Sequence, residues 1–324
     1  MLPNNNQKGG CSLIVALNIS KENPLLKLFE QVDRLLEGYQ ETKAVPTRGR
    51  PKLFHDAQIL KCMVYQAFYR IVSFRELEWR LSHDPVARCL IALTKVPDHT
   101  TLFLRAKELE ESLYHEFYRL MLVLLQPDTR ICMWDSTPMR ASKYDREARK
   151  GKGTRLGWYV GYKLHAIVSQ DLIPLAWDIT TANVYDNQAA HLLDDVEQLG
   201  IFMLLADGAY DDSALFKKAD EHGIHLVTGV NRRRAKSLDG IKDPYRRRNA
   251  AYMYGGLGQR FMKMRAEIER FFSILKVRYH LENPRLFGQN RYRRHVMWVI
   301  FSYLCDRLVD LFHGVKSAKA PWNR

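Results

Sequence analysis

The chain predicts an α/β protein, a mixed sheet flanked by helices, preceded by an all-helical N-terminal region. Three observations carry that expectation. Apolar residues recur at helical spacing up to about residue 125, and the pattern then changes to short apolar runs bounded by turns. Three such runs follow one another, after which runs and helical stretches alternate, as in a mixed sheet with helices packed on it. The 324 residues are enough for two domains, or one elaborated domain, with a real core.

The elements follow in order. Asn4-Asn5-Asn6 and Gly9-Gly10 read as a loose arm. Pro24 to Gly38 repeats Leu25, Leu28, Phe29, Val32, Leu35 and Leu36 at helical spacing and closes on glycine. A polar linker ends in Arg48-Gly49-Arg50-Pro51, which has the composition of a minor-groove arm and equally of an ordinary linker. From Asp56 to about Leu125 the pattern is helical, broken at Asp84-Pro85 and at Pro97-Asp98-His99-Thr100, where Asp98 or Thr100 supplies a cap. Within that block, Thr100 to Leu109, with Arg105 and Lys107, would be the second helix of a helix-turn-helix. Tyr65, Phe68, Tyr69, Phe74, Leu77 and Trp79 read as core. Strands are expected at Cys132–Asp135, Trp158–Ser169, Ile173–Thr180, Phe202–Asp207 and Ile224–Val230. Helices are expected at Asn187–Leu199, Ser213–His222 and Arg260–Tyr279.

Composition narrows the function. Lys and Arg number 50 against 36 Asp and Glu, and the formal charge of +14 points to a polyanionic partner. Five cysteines, odd in number and without CxxC spacing, indicate neither a disulfide framework nor a zinc site, and fit a reducing cytoplasm. The longest apolar stretch, Val296 to Cys305, stops at Asp306 and is about half of what a membrane span needs. The short run Ser12 to Leu17 lacks a basic region and cleavage site, so no signal peptide is expected.

Three acidic residues hold most of the chemistry. Asp135 ends the run Ile131-Cys132-Met133-Trp134, and Asp207 ends Ile201 to Ala206. Glu269 lies in the last amphipathic helix. Carboxyl ends of adjacent strands are where sites collect in open α/β sheets, so the two aspartates would face each other if their strands were neighbours. Two strand-end carboxylates and one helix carboxylate are the hard oxygen donors that two divalent metals need to hold a phosphodiester. Arg265, Glu269 and Lys276 share one helical stripe, because steps of four and seven residues rotate by about 40° and about −20°. Such a stripe suits a ligating carboxylate flanked by phosphate-holding cations; an i, i+4 surface pair explains it as well. The insert Asn231 to Arg248, with Arg232, Arg233 and Arg234, is either a phosphate-binding run or a solvated loop. Lys143, Arg146, Arg149, Lys150, Lys152 and Arg155 form a second basic cluster, and Arg291 to Arg294 a third. His165 and His191 read as packing residues.

Asp135-Ser136-Thr137, Ala206-Asp207-Gly208-Ala209-Tyr210 and Arg265-x3-Glu269-x6-Lys276 resemble the three signatures of DDE transposases of the IS4/IS5 insertion-sequence group. Tyr159 to His165, Thr181 to Asp186 and Pro97 to Thr101 are similar to further segments of that family, so the resemblance runs from about residue 50 to about residue 305. This chain has Met262 where the signature has tyrosine. Asp186 is left between a part in the site and a cap for the helix after it. The resemblance implies an RNase H-like catalytic domain in which Asp135, Asp207 and Glu269 are catalytic residues and metal ligands for Mg²⁺ (or Mn²⁺), two ions in all. It also implies nicking and strand transfer on double-stranded DNA, both the inverted-repeat ends and the target, by a homodimer in the prokaryotic cytoplasm at the nucleoid. Arg265, Lys276, Arg232, Arg233, Arg234, Lys163, Arg48 and Arg50 are the expected DNA-binding residues. The expected organisation is an arm, helix and linker at 1–50, a helical DNA-binding region at 51–128, the catalytic domain at 129–312 with its basic insert at 231–258, and a tail at 313–324. A structure-specific RNase H-like nuclease and a domesticated DNA-binding protein without catalysis are the alternatives.

Overall fold

The computed structural model describes residues 21, 23–37, 52–71, 73–110, 113–153, 156–233, 237, 240–282, 284 and 286–315. The chain divides into two compact units, one of residues 1–125 with 301–316, the other of residues 126–300 with 317–324.

The first unit is helical: α1 (Pro24–Leu36), α2 (Asp56–Phe68), α3 (Phe74–His83), α4 (Pro85–Ile91), α5 (His99–Glu110) and α6 (Leu113–Leu125), joined by the end of α12 (Gln289–Phe312). Local chemistry sets the helix starts. Asn23 Oδ1 accepts from the Leu25 and Leu26 amides, Ser73 Oγ from Glu76, and Asp84 Oδ1 from Ala87, with Pro24 and Pro85 each opening its helix. Asp98 Oδ1 accepts from both Thr100 and Thr101, so it is the aspartate that caps α5. Leu28, Val32, Ile59, Val64, Leu77, Leu102 and Phe117 fill the core. Two residues expected inside it are exposed, Tyr69 at 43% and Trp79 at 61%, with Trp79 against the ring of His83. Arg105 is turned inward: its guanidinium donates to the Phe54 carbonyl and pairs with Asp56, so it fastens α5 to the start of α2 instead of reaching outward.

The second unit is built on a mixed sheet. Among the described residues it has six strands: β1 (Ile131–Arg140), β2 (Arg149–Gly153), β3 (Gly157–Ser169), β4 (Pro174–Thr181), β5 (Met203–Ala206) and β6 (His225–Thr228). The order is β2-β3-β1-β5-β6, with β4 also paired to β3. β3 runs antiparallel to β1, β2 and β4, while β5 lies parallel to β1 and to β6. Short helices α7 (Leu192–Asp195) and α8 (Ser213–Glu221) come between β4, β5 and β6, and α9 (Pro244–Tyr254), α10 (Leu257–Met262) and α11 (Ala266–Arg278) follow. Trp134, Leu164, Ile167, Leu204, Leu205, Val227, Phe271 and Leu275 are buried between sheet and helices.

Three expectations are corrected. β2 was not foreseen, because Arg149-Lys150-Gly151-Lys152-Gly153 has no apolar alternation. It is a strand through backbone pairing alone, and Gly151 is required there, since a Cβ would sit 2.2 Å from the Ala182 carbonyl oxygen. The helix expected over 187–199 is three short turns, with i→i−3 bonds at Ala189, Leu192 and Leu199 replacing a helical ladder. The helix expected over 260–279 breaks at Lys263–Arg265, where Met264 and Arg265 donate three residues back to Phe261 and Met262. Tightening there keeps Phe261, Met262 and Met264 on the cluster of Met203, Leu205 and Val227, while α11 buries Ile268, Phe271 and Leu275. Met262, in the place of the signature tyrosine, thus packs behind β5.

The basic insert is only in part a surface run. Arg246, on α9, is buried and makes a two-pronged pair with Asp211, Nε to Oδ1 at 3.0 Å and Nη2 to Oδ2 at 2.8 Å. Asp211 also accepts from the Asn231 amide, and its carbonyl accepts from Arg233. No helix among the described residues is long and apolar enough to cross a membrane.

Candidate active site

β1 and β5 pair in parallel with Trp134 opposite Ala206, so Asp135 and Asp207 stand one residue past the last paired position on neighbouring strands. The residues just before them, Cys132–Trp134 and Met203–Ala206, are buried on both faces, as the interior of a parallel pair requires. Phe202, expected to open the second of these strands, lies outside it and is 66% exposed. The Asp207 carboxylate accepts from the Ala209 amide, which fixes the turn after β5. β1 does not stop at Asp135: it continues to Arg140, paired from there only with β3.

α11 brings the third carboxylate. Arg265, at its N-terminus, donates from Nη1 to Asp135 Oδ2 at 2.9 Å, and its Nη2 lies 3.5 Å from Glu269 Oε1. One guanidinium therefore bridges β1 and α11. Further along, the Lys276 ammonium lies 2.7 Å from Glu282 and 3.4 Å from the Pro138 carbonyl oxygen, near the continuation of β1. Glu267 pairs at 3.7 Å with Arg270, away from this stripe.

The electrostatics of Asp135 are unusual. Its burial pushes the carboxyl up to about 7, and the charges of Asp207 and Asp186 push the same way. Its bond from the Ser136 amide and the nearby Arg265 pull in the opposite direction without cancelling the shift. Tyr210, fully buried against Trp134, has its hydroxyl raised well above the ordinary range by burial and then by Asp186, Asp135 and Asp207. Among the described residues, no group of three His, Cys, Asp or Glu side chains is arranged to hold a metal ion. The chemistry of Asp135 and Asp207 nonetheless fits a hard divalent cation: both donate oxygen, and a cation would offset the burial, and the lesser repulsion from Asp207, that raise Asp135. Arg265 supplies part of that positive charge here.

The other expected residues fall in different places. Lys163 Nζ donates to the Val184 carbonyl at 2.9 Å and to Asp186 at 3.0 Å, which turns it toward the protein and not toward a polyanion. Arg232 donates to the Tyr254 hydroxyl from Nε and Nη2, and Arg233 to the Asp211 carbonyl. Arg48, Arg50 and Arg234 lie outside the described residues. Sequence reasoning left Asp186 between site and cap. The turn after Tyr185 has no side-chain cap, and Asp186 Oδ1 instead accepts from Ser136 Oγ at 2.8 Å and from Lys163. No local pattern could have marked that contact, which joins positions 50 residues apart.

These elements define an α/β protein with one acidic residue just after β5, a second at the neighbouring position within β1 where the β5 pairing stops, and a third on a helix joined to it through Arg265. Residues 126–305, more than half of the chain, match the family model described as Transposase DDE domain, and the chain belongs to that family. Residues 15–107 match a second model, described as Transposase domain (DUF772). No curated protein matches the sequence. Among solved structures, the chain is similar to the piggyBac transposase in a cryo-EM synaptic complex with hairpin DNA, at 10% identity and a TM-score of 0.43, over 92% of this chain and 77% of that one.

Proposed function

We propose that this protein is a DNA transposase of the IS4/IS5 insertion-sequence type, which binds inverted-repeat ends and carries out metal-dependent nicking and strand transfer. Its catalytic part, residues 129–312, would have an RNase H-like fold, and the helical residues 51–128 would contribute to DNA binding. The observation that supports this reading best is the junction at Arg265, which joins Asp135, beside Asp207, to Glu269. In this reading Asp135, Asp207 and Glu269 are the ligands of Mg²⁺ or Mn²⁺, as two ions. When bound, such ions lower the pKa of a water or a DNA 3′-hydroxyl and neutralise charge on the leaving oxygen. Arg265 holds the carboxylates in place and offers positive charge to a phosphate, and Lys276 extends the cationic stripe along β1. The protein works as a homodimer at the nucleoid, because two ends must be handled together.

The test uses the chain with DNA ends taken from inverted repeats flanking its gene. Glu269→Gln is expected to eliminate strand transfer of a pre-cut end, whereas Glu267→Gln, which loses only a surface pair with Arg270, leaves it nearly intact. The reverse pattern would show that the helix has been misaligned to the signature. Nicking without joining on any end would favour a nuclease, and binding without either would favour a non-catalytic DNA-binding protein.

The arginine run has its own expected result. Replacing Arg232, Arg233 and Arg234 by Ala should weaken binding to all sequences alike and flatten the slope of log K against log salt by up to about 0.9 per lost phosphate contact. An unchanged slope in a salt titration would assign these residues to the protein's internal bonding alone.

A further inference from the structure

We infer that Asp186 is a positioning residue that fixes β1 at the point where Asp135 must be held, acting through Ser136 and Lys163. The inference rests on the proposal that Asp135 is catalytic. Side chains alternate along a strand, so Ser136 points to the face of the sheet opposite Asp135. On that face Asp186 Oδ1 accepts from Ser136 Oγ at 2.8 Å and from Lys163 Nζ at 3.0 Å. Lys163 also donates to the Val184 carbonyl, so the ammonium holds the loop bearing Asp186 as well as its carboxylate. Both Ser136 and Lys163 stand on paired strands, Ser136 opposite His165 and Pro138 opposite Lys163. The ring of His165 is buried on the same side, its Nε2 bonded to Thr180 Oγ1 and its Nδ1 3.9 Å from Asp186.

The register explains why a tether is needed at this point. Up to Trp134, β1 has hydrogen-bonded neighbours on both edges, β3 and β5. From Asp135 onward the β5 edge is gone, and β1 has β3 alone. Asp135 is therefore the first residue of a half-supported strand, and its carboxylate accepts from the adjacent Ser136 amide and from Arg265, a long side chain from another element. Asp186 closes the back. Residues that orient a ligating carboxylate without touching the reacting atoms typically change activity or metal affinity by about 10–100-fold when removed.

The experiment compares Asp186→Ala, Asp186→Asn and Ser136→Ala with the wild-type chain. Asp186→Ala should lower the turnover of Mg²⁺-dependent nicking by about 10–100-fold with little change in the KM for the DNA end. Asp186→Asn should recover most of that loss, because an amide oxygen still accepts from Ser136 and Lys163. Ser136→Ala should act in the same direction and add little to Asp186→Ala in the double variant. Amide hydrogen exchange at residues 135–137 should quicken in Asp186→Ala without DNA or metal, a readout independent of catalysis. An Asp186→Asn variant as inactive as Asp186→Ala would overturn the inference, since charge and not hydrogen bonding would then matter. A change in KM alone would overturn it too, placing Asp186 against DNA. Should Asp186→Ala not fold, Asp186→Asn and Ser136→Ala decide the matter between them. If Asp135→Asn keeps nicking, the catalytic reading of the site fails; if Asp135→Asn is inactive and Asp186→Ala is not, this inference alone fails.

Discussion

Asp135→Asn should abolish Mg²⁺-dependent nicking, with a loss on the order of 10³-fold or more, and at pH 8 it should make the metal-free protein more stable. The loss follows from removing one of two adjacent carboxylates proposed to hold the ions, whose charge stabilisation is worth several kcal/mol. Asp207→Asn should do the same. The gain in stability follows from the carboxyl being pushed up to about 7 in the folded chain, against an ordinary value of 3.8. A group whose folded pKa is raised contributes stability that is fully present below the unfolded value and is lost as pH rises through the folded one. Above pH 7 the folded chain therefore carries a buried carboxylate that it would hold more cheaply in neutral form, at a cost of order 1–4 kcal/mol. Thermal melts in chelator at pH 5 and pH 8 check it: Asn should melt higher than Asp at pH 8, and by a clearly smaller margin at pH 5, which lies part-way between the unfolded and folded values. A lower melting point for Asn at pH 8 would mean that the ion pair with Arg265 outweighs burial.

The second large effect is on the fold. Asp211→Ala should cost about 3–5 kcal/mol, because it leaves the Arg246 guanidinium buried without its partner. The Asp211 carboxylate is almost wholly enclosed, so water cannot take its place. Replacing both residues by apolar ones of similar volume, Asp211→Leu with Arg246→Met, should cost much less than Asp211→Ala alone. Urea denaturation of the three proteins decides it, and a loss below about 1 kcal/mol in Asp211→Ala would show the pair to be no stronger than a surface one. The same change would free the Asn231 amide, so the basic run that starts there should become more protease-sensitive.

What could be read from the sequence, and what could not, divides along the range of the interactions. The runs ending in Asp135 and Asp207 are legible because a strand buried on both faces is apolar without interruption. The amphipathic stretch bearing Glu269 is legible from its period. The parallel pairing that sets the two aspartates side by side was conditional on strand order, which no local pattern fixes. β2 is illegible because its partner is a backbone, not a side-chain face. The charges were the hardest to read. Arg105, Lys163 and Arg246 look like polyanion contacts in a basic chain, yet each is committed to a carboxylate or carbonyl between 15 and 51 positions away. A sequence displays the sign of a charge but not its partner, and the same ambiguity hid Asp186 behind an ordinary capping role.

The position of β1 in the chain has a consequence for the order of events during synthesis. Both of its hydrogen-bonding partners, β3 and β5, and the helix that carries Glu269 lie downstream of it. The apolar run Ile131–Trp134 thus leaves the ribosome before anything exists to cover it. At translation rates of about 5–20 residues per second, the interval between residue 135 and residue 269 lasts on the order of ten seconds. Until β3 and β5 emerge the nascent chain exposes an unpaired, aggregation-prone strand, and the helices of residues 56–125 still lack the end of α12, which belongs to their unit. A product truncated before residue 266 would lack both the Glu269 carboxylate and the segment 301–312 that belongs to the first unit.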